Sequence, residues 1–166
     1  KNFTESIRVL DTEKVKEIVE LLNNKQRLIV IARGLNKSIA HYFEYIFSGL
    51  GFEVIFPEDY FFRKMWLNSI RDSDLVFFFS YGGEDMQLIK NIEELNVKSK
   101  ATVISITSAN NNTIQNLSHI NLYVFADHIE YEGINMTSRV AMIGIIELIA
   151  YQYMEELQKK QTDNNE

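Results

Sequence analysis

Three apolar runs in this chain stop abruptly in small polar residues, and the residues that follow are of types that bind ligands. Leu28 to Ala32 gives way to Arg33-Gly34-Leu35-Asn36-Lys37-Ser38, and Leu75 to Phe79 gives way to Ser80-Tyr81-Gly82-Gly83-Glu84-Asp85. Thr102 to Ile106 runs into Thr107-Ser108-Ala109-Asn110-Asn111-Asn112-Thr113. Where a buried strand turns through glycine into a helix, backbone N–H groups lack partners at one point. Such a point receives an anion, phosphate above all. Hydroxyl and amide side chains around it would bond the hydroxyls of a sugar. Serine, asparagine and glycine are also ordinary capping and turn residues, so a single junction decides nothing. Three at the mouths of parallel strands would converge on one end of a sheet.

The elements that must hold these junctions alternate along the chain. Helical spacing of Val15, Ile18, Val19 and Leu22 predicts a helix over Thr12 to Asn23. Ile39, Phe43, Ile46, Phe47 and Leu50 mark another over Asn36 to Leu50, followed by a short strand, Glu53 to Phe56, before Pro57. Aromatic-rich Tyr60 to Ile70 reads as helix, as does about Glu84 to Leu95; Asn121 to Phe125 is the last strand. A long helix, about Met136 to Leu157, closes the pattern, and Lys159 to Glu166 is polar enough to fray. Strands apolar on both faces and separated by helices imply an α/β fold. The expected architecture is a three-layer α/β/α sandwich around a parallel, mainly five-stranded sheet, with ligands at the carboxyl ends of its strands.

Bulk composition removes several classes of function. The chain has 166 residues, enough for one domain, with 46% hydrophobic and 24% charged residues. It contains no cysteine, so thiolate chemistry and disulfides are excluded, and a cytoplasmic setting fits. A net charge of −6 argues against this chain itself gripping nucleic acid. No apolar stretch is of bilayer length, so no membrane partner is expected.

The junction motifs resemble those of the SIS (sugar isomerase) domain, and within it the effector domain of RpiR-type transcriptional regulators. The family's Gly-x-Gly-x-Ser falls on Ala32-Arg33-Gly34-Leu35-Asn36, and its Ser-x-Ser-Gly-x-Thr falls on Ser80 to Asp85. The Ile-Thr strand end falls on Ile106-Thr107, and the Ser-Arg that opens the last helix falls on Ser138-Arg139. The resemblance covers the chain from about Leu10 to Leu157, so residues 1–158 form the expected domain and 159–166 a disordered tail. It implies a flavodoxin-like fold and a homodimer. It also implies a small-molecule effector, a sugar phosphate or a related derivative, held by Gly34, Asn36, Ser38, Ser80, Tyr81, Gly82, Gly83, Asp85 and Thr107. A helix-turn-helix domain preceding Lys1 would make the DNA contact. No cofactor, metal or catalytic residue is expected of such a regulator.

The departures from the pattern matter. Asn36, Gly82 and Asn112 stand where the family has serine, and Asp85 where it has threonine. A carboxylate about 5 Å from a phosphate adds roughly 3 kcal/mol of repulsion per unit charge at an effective dielectric of about 20. A family-standard phosphate site is therefore not expected intact unless Arg33 or Lys37 turns in to compensate. A ligand offering hydroxyls or an amine to Asp85 is the alternative.

Two other functional readings remain open on the residues. In a stand-alone aldose–ketose isomerase, Glu132 would be the carboxylate base, since His41, His119 and His128 are scattered and form no constellation. In a degenerate domain the pocket would be lost and only dimerisation kept. Between Val140 and Met154 the only charged residue is Glu147, so the last helix must be covered on several sides. A second subunit is the natural cover, a central core helix in a monomer being the alternative. The aromatic segment Tyr60-Phe61-Phe62 with Met65 and Trp66 would either extend the same interface or cap the sheet edge as ordinary core.

Overall fold

The two long apolar runs form strands buried at every position: β1 (Arg27–Ala32) and β3 (Leu75–Phe79). Total burial of both faces is what a continuous apolar run requires of a strand, and it places these two at the centre of the sheet. The computed structural model describes residues 12–24 and 27–166. Leu10, where the resemblance begins, lies outside them. With β2 (Glu53–Ile55), β4 (Thr102–Ser108) and β5 (Ile120–Val124) the sheet has five parallel strands in the order β2-β1-β3-β4-β5.

Helices cover both faces. On one side α1 (Thr12–Asn23), α2 (Asn36–Gly49) and α6 (Val140–Asp163) pack Ile18, Phe43, Phe47, Ile145 and Ile149 against Val30, Phe77, Phe79 and Ile106. On the other, α3 (Tyr60–Asn68), α4 (Met86–Lys98) and α5 (Thr113–Leu117) pack Leu67, Leu88, Ile92 and Ile114 against Ile31, Val76 and Phe78. Alternate residues of one strand thus feed opposite layers, as the period of two demands. The expected sandwich is present.

The chain leaves β1 towards β2 through α2, then returns past β1 to β3 through α3 on the opposite face. The sheet order therefore reverses between β1 and β3, and their carboxyl ends flank a crevice. At the other end of the same strands Arg27 and Asp74 form a buried ion pair. Arg27 Nε lies 2.7 Å from Asp74 Oδ1 and Nη2 lies 2.6 Å from Oδ2, with the Trp66 ring 5.7 Å from the guanidinium. The hydrogen bond and charge of Asp74 push the Arg27 pKa upwards, against the desolvation that lowers it.

Several boundaries differ from the sequence expectation. The last helix begins at Val140 rather than Met136, because residues 130–135 fold into a hairpin of β6 (Glu130–Tyr131) and β7 (Ile134–Asn135). The helix then continues to Asp163, so most of the segment expected to fray is helical. α4 starts at Met86 because Asp85 is its cap, not its first turn. α3 lies on the face of the sheet opposite α6, so the aromatic segment Tyr60 to Trp66 does not extend the α6 surface.

Candidate functional site

Parallel register brings the junctions together. Ala32 is paired with Phe79, and Phe79 with Ile106, so the residues that follow them emerge at one edge of the sheet. A cleft of about 600 Å³ opens over the β1–β3 crevice. Gly34, Leu35 and Asn36 line one wall and Ser80, Tyr81, Gly82, Glu84 and Asp85 another, with Arg33 between them. His128, Asn135 and Arg139, from the segment leading into α6, close the third side.

Each polar group has an identifiable state. Asn36, the first residue of α2, is buried; its Nδ2 donates to Phe79 O at 3.3 Å and its Oδ1 accepts from Arg139 Nε at 2.6 Å. Ser80 is buried and its hydroxyl accepts from Gly83 N at 3.2 Å, which tightens the loop. Gly83 takes φ +70°, and a Cβ there would lie 2.0 Å from Asn112 Oδ1, so only glycine fits this backbone. Tyr81 donates its hydroxyl to Ala126 O, and the Arg139 guanidinium stands over its ring at 5.1 Å. The backbone N–H groups of Gly82, Glu84 and Asp85 make no hydrogen bond among the described residues.

Asp85 does two jobs. One oxygen caps α4, accepting from Gln87 N at 3.0 Å and Leu88 N at 3.1 Å; the other lies 2.6 Å from Arg33 Nη1. The compensation that the sequence required of Arg33 or Lys37 is thus supplied by Arg33; Lys37 does not line the cleft. Glu84 turns outward and accepts from Thr113 N at 2.8 Å and Thr113 Oγ1 at 2.7 Å, bonds that hold its pKa below the usual carboxylate value.

Arg139 is different. It donates to Asn36 and, through Nη1, to Thr137 O at 2.8 Å, but no carboxylate pairs with it among the described residues. Desolvation pushes its pKa down, and the Tyr81 phenol opposes this only in part.

Three of the ligand-binding candidates, Gly83, Ser38 and Thr107, do not line the cleft. Ser38 is exposed on α2, outside the lining. Thr107 lies inside β4, because that strand continues to Ser108; its hydroxyl is fully buried and accepts from Asn112 Nδ2 and Asn121 Nδ2 at 3.1 Å each. Glu132 is exposed at the hairpin tip with φ +48°, away from the cleft. His119 Nδ1 accepts from Val103 N at 2.9 Å, a role in the sheet, and His41 is exposed beside Glu44 and Glu58. Among the described residues no cluster of His, Asp and Glu is placed to hold a metal.

The sequence reading did not place Arg33, Leu35, Glu84, His128, Asn135 or Arg139 among the site residues. For Arg139 a signal existed. A cation at the N-terminus of a long apolar helix opposes the helix dipole, and such local conflicts mark functional positions. His128 and Asn135 arrive through a hairpin too short to be predicted from periodicity.

Residues 21–151 match the family model of the SIS domain. The chain belongs to the SIS domain family. A curated relative of this SIS domain is an uncharacterised HTH-type transcriptional regulator of Thermotoga maritima, 24% identical over 145 residues, which cover 87% of this chain and 51% of the relative. The chain spans about half the length of the curated relatives it matches. Among solved structures, Vibrio vulnificus NanR complexed with ManNAc-6P superposes with a TM-score of 0.83 at 17% identity, over 97% of this chain and 61% of that one. The sugar isomerase domain of an RpiR transcription factor from Sphaerobacter thermophilus gives 0.80 at 14% identity, over 95% and 92%. A protein named as a candidate sugar-phosphate isomerase from Listeria monocytogenes also superposes, with a TM-score of 0.77 at 19% identity over 96% of this chain and 86% of that one.

Proposed function

We propose that this SIS domain binds a sugar phosphate as effector and dimerises, as the sensing part of an RpiR-like transcriptional regulator. The observation that carries this reading is Arg139, a guanidinium without a carboxylate partner among the described residues, in the cleft at the sheet's reversal point, in a chain whose curated relatives are HTH-type regulators.

Binding is favoured over isomerisation by the state of the acids. Aldose–ketose exchange needs a carboxylate or imidazole within reach of a sugar carbon. Asp85 is tied to α4 and Arg33, Glu84 is tied to Thr113, and Glu132 lies outside the lining. Among the described residues His128 is the one lining imidazole, 3.6 Å from Glu130.

Dimerisation is supported by α6, where Val140, Leu148 and Tyr151 present an exposed apolar stripe. DNA contact would belong to a domain outside this chain, and ligand would shift a pre-existing equilibrium between dimer arrangements. A cytoplasmic location follows from the regulator reading. Among the described residues no helix is long and apolar enough to cross a membrane.

Thermal-shift measurements against a panel of pentose and hexose phosphates, amino-sugar phosphates included, test the proposal. A true effector at about one hundred times its Kd raises Tm by roughly 5–10 °C. No shift with any member removes the sensing role and leaves dimerisation alone; isomer exchange in the same mixtures replaces binder by enzyme.

A further inference from the structure

The cleft has two places where an anion could be received, and the protein's own side chains have already filled one. At the N-terminus of α4 both oxygens of Asp85 are engaged, one on Gln87 N and Leu88 N and the other on Arg33 at 2.6 Å. A phosphate arriving there would meet a carboxylate, and the cation beside it is already neutralised. Arg139, on the α6 side, offers the opposite conditions. Its guanidinium carries five N–H groups, and the bonds to Asn36 Oδ1 and Thr137 O use two of them. Those two bonds and the Tyr81 ring at 5.1 Å fix the plane of the fork before any ligand arrives. A planar, oriented guanidinium with unused donors and no acid partner suits a phosphate oxygen pair. The N-cap residue of α6, Arg139, makes no side-chain cap, and Ser138 Oγ accepts only from Val140 N at 3.3 Å, whereas Asp85 caps α4.

We infer that the anionic group of the ligand is held by Arg139 on the α6 wall, and that the N-terminus of α4, closed by Asp85, is not the phosphate subsite of this protein. The inference rests on the effector-binding reading and assigns the direction in which the ligand lies. The phosphate points to α6, and the sugar hydroxyls lie against the free N–H groups of Gly82 and Glu84 and the Arg33–Asp85 pair.

Calorimetric titration with the sugar phosphate that gives the largest thermal shift, and with its unphosphorylated parent sugar, tests this. The proteins are the wild-type chain, Arg139→Gln, Arg139→Lys and the charge-neutral double variant Arg33→Gln/Asp85→Asn, in which asparagine keeps the α4 cap. Arg139→Gln is expected to weaken the phosphate ligand by roughly ten- to a hundredfold and the parent sugar by less than about threefold. Arg139→Lys keeps the charge without the fork and recovers part of the loss. The double variant is expected to change both ligands by the same factor, because it alters the sugar end. The inference is overturned if Arg139→Gln leaves the phosphate ligand within about threefold of wild type, or if the double variant selectively abolishes the preference for phosphate. If no sugar phosphate binds the wild-type chain, the effector reading itself falls, a result distinct from binding that ignores Arg139.

Discussion

Gly83→Ala should be among the most damaging single-methyl additions in this protein, and its cost can be worked from the cleft loop. Gly83 adopts φ +70°, where an L side chain costs about 1–2 kcal/mol. The new Cβ would lie 2.0 Å from Asn112 Oδ1 and 2.2 Å from its Cγ, so the Asn112 side chain must leave. That side chain is 2% exposed. It caps α5 by accepting from Gln115 N at 2.8 Å, and it donates to Thr107 Oγ1 at 3.1 Å and Asn110 O at 3.0 Å. Losing the cap costs about 1 kcal/mol, and stranding buried polar partners about 1–3 kcal/mol more. The sum is about 3–6 kcal/mol. Gly82→Ala is the control, because nothing lies within 4 Å of a Cβ there and its φ is ordinary. It should stay within about 0.5 kcal/mol of wild type. Urea unfolding of both variants measures the difference as a fall in midpoint at unchanged slope. The double variant Gly83→Ala/Asn112→Gly removes the clash and should lose less than the two single changes added together. Equal stability of Gly82→Ala and Gly83→Ala, or strict additivity with Asn112→Gly, would refute the packing argument.

Asp74→Asn leaves the Arg27 guanidinium buried without its counter-charge, which costs about 3–5 kcal/mol in urea unfolding. Because the pair sits at the amino ends of β1 and β3, ligand affinity of the folded fraction should not change, and a loss below about 1 kcal/mol would show that the site relaxes. Tyr42 supplies the pH dependence. Its hydroxyl donates to Glu147 Oε1 at 2.7 Å, which lifts its pKa to about 12. An unfolded tyrosine loses its proton near about pH 10, so between these values the folded chain holds the extra proton and stability falls as pH rises. Tyr42→Phe should cost about 1 kcal/mol below that window and flatten the fall within it, read by denaturation at about pH 9 and about pH 11.5. An unchanged slope would assign the alkaline loss to other groups.

What could be read from the sequence follows the range of the forces involved. The buried strands β1 and β3 announced themselves because continuous apolar runs have few other uses, and α1 and α2 because their apolar residues recur at helical spacing. The hairpin of β6 and β7 carried no such pattern, and with it His128 and Asn135 were missed. Thr107 was misplaced for a related reason. A strand end cannot be fixed from apolarity once polar residues are buried in mutual hydrogen bonds, as Thr107, Asn112 and Asn121 are. Asp85 is the instructive case. Locally it is a good helix cap, and beside a phosphate it is a repulsive charge; both statements are correct. Which one governs the site depends on Arg33, which reaches it from the end of a different strand. Once that ion pair forms, Asp85 ceases to be a defect in a phosphate site and becomes the group that closes it. Among the described residues, the one cation lining the cleft without an ion pair is then Arg139, whose partner Asn36 stands where the family motif has serine. The departures at Asn36 and Asp85, read separately as losses, are therefore two parts of one rearranged wall.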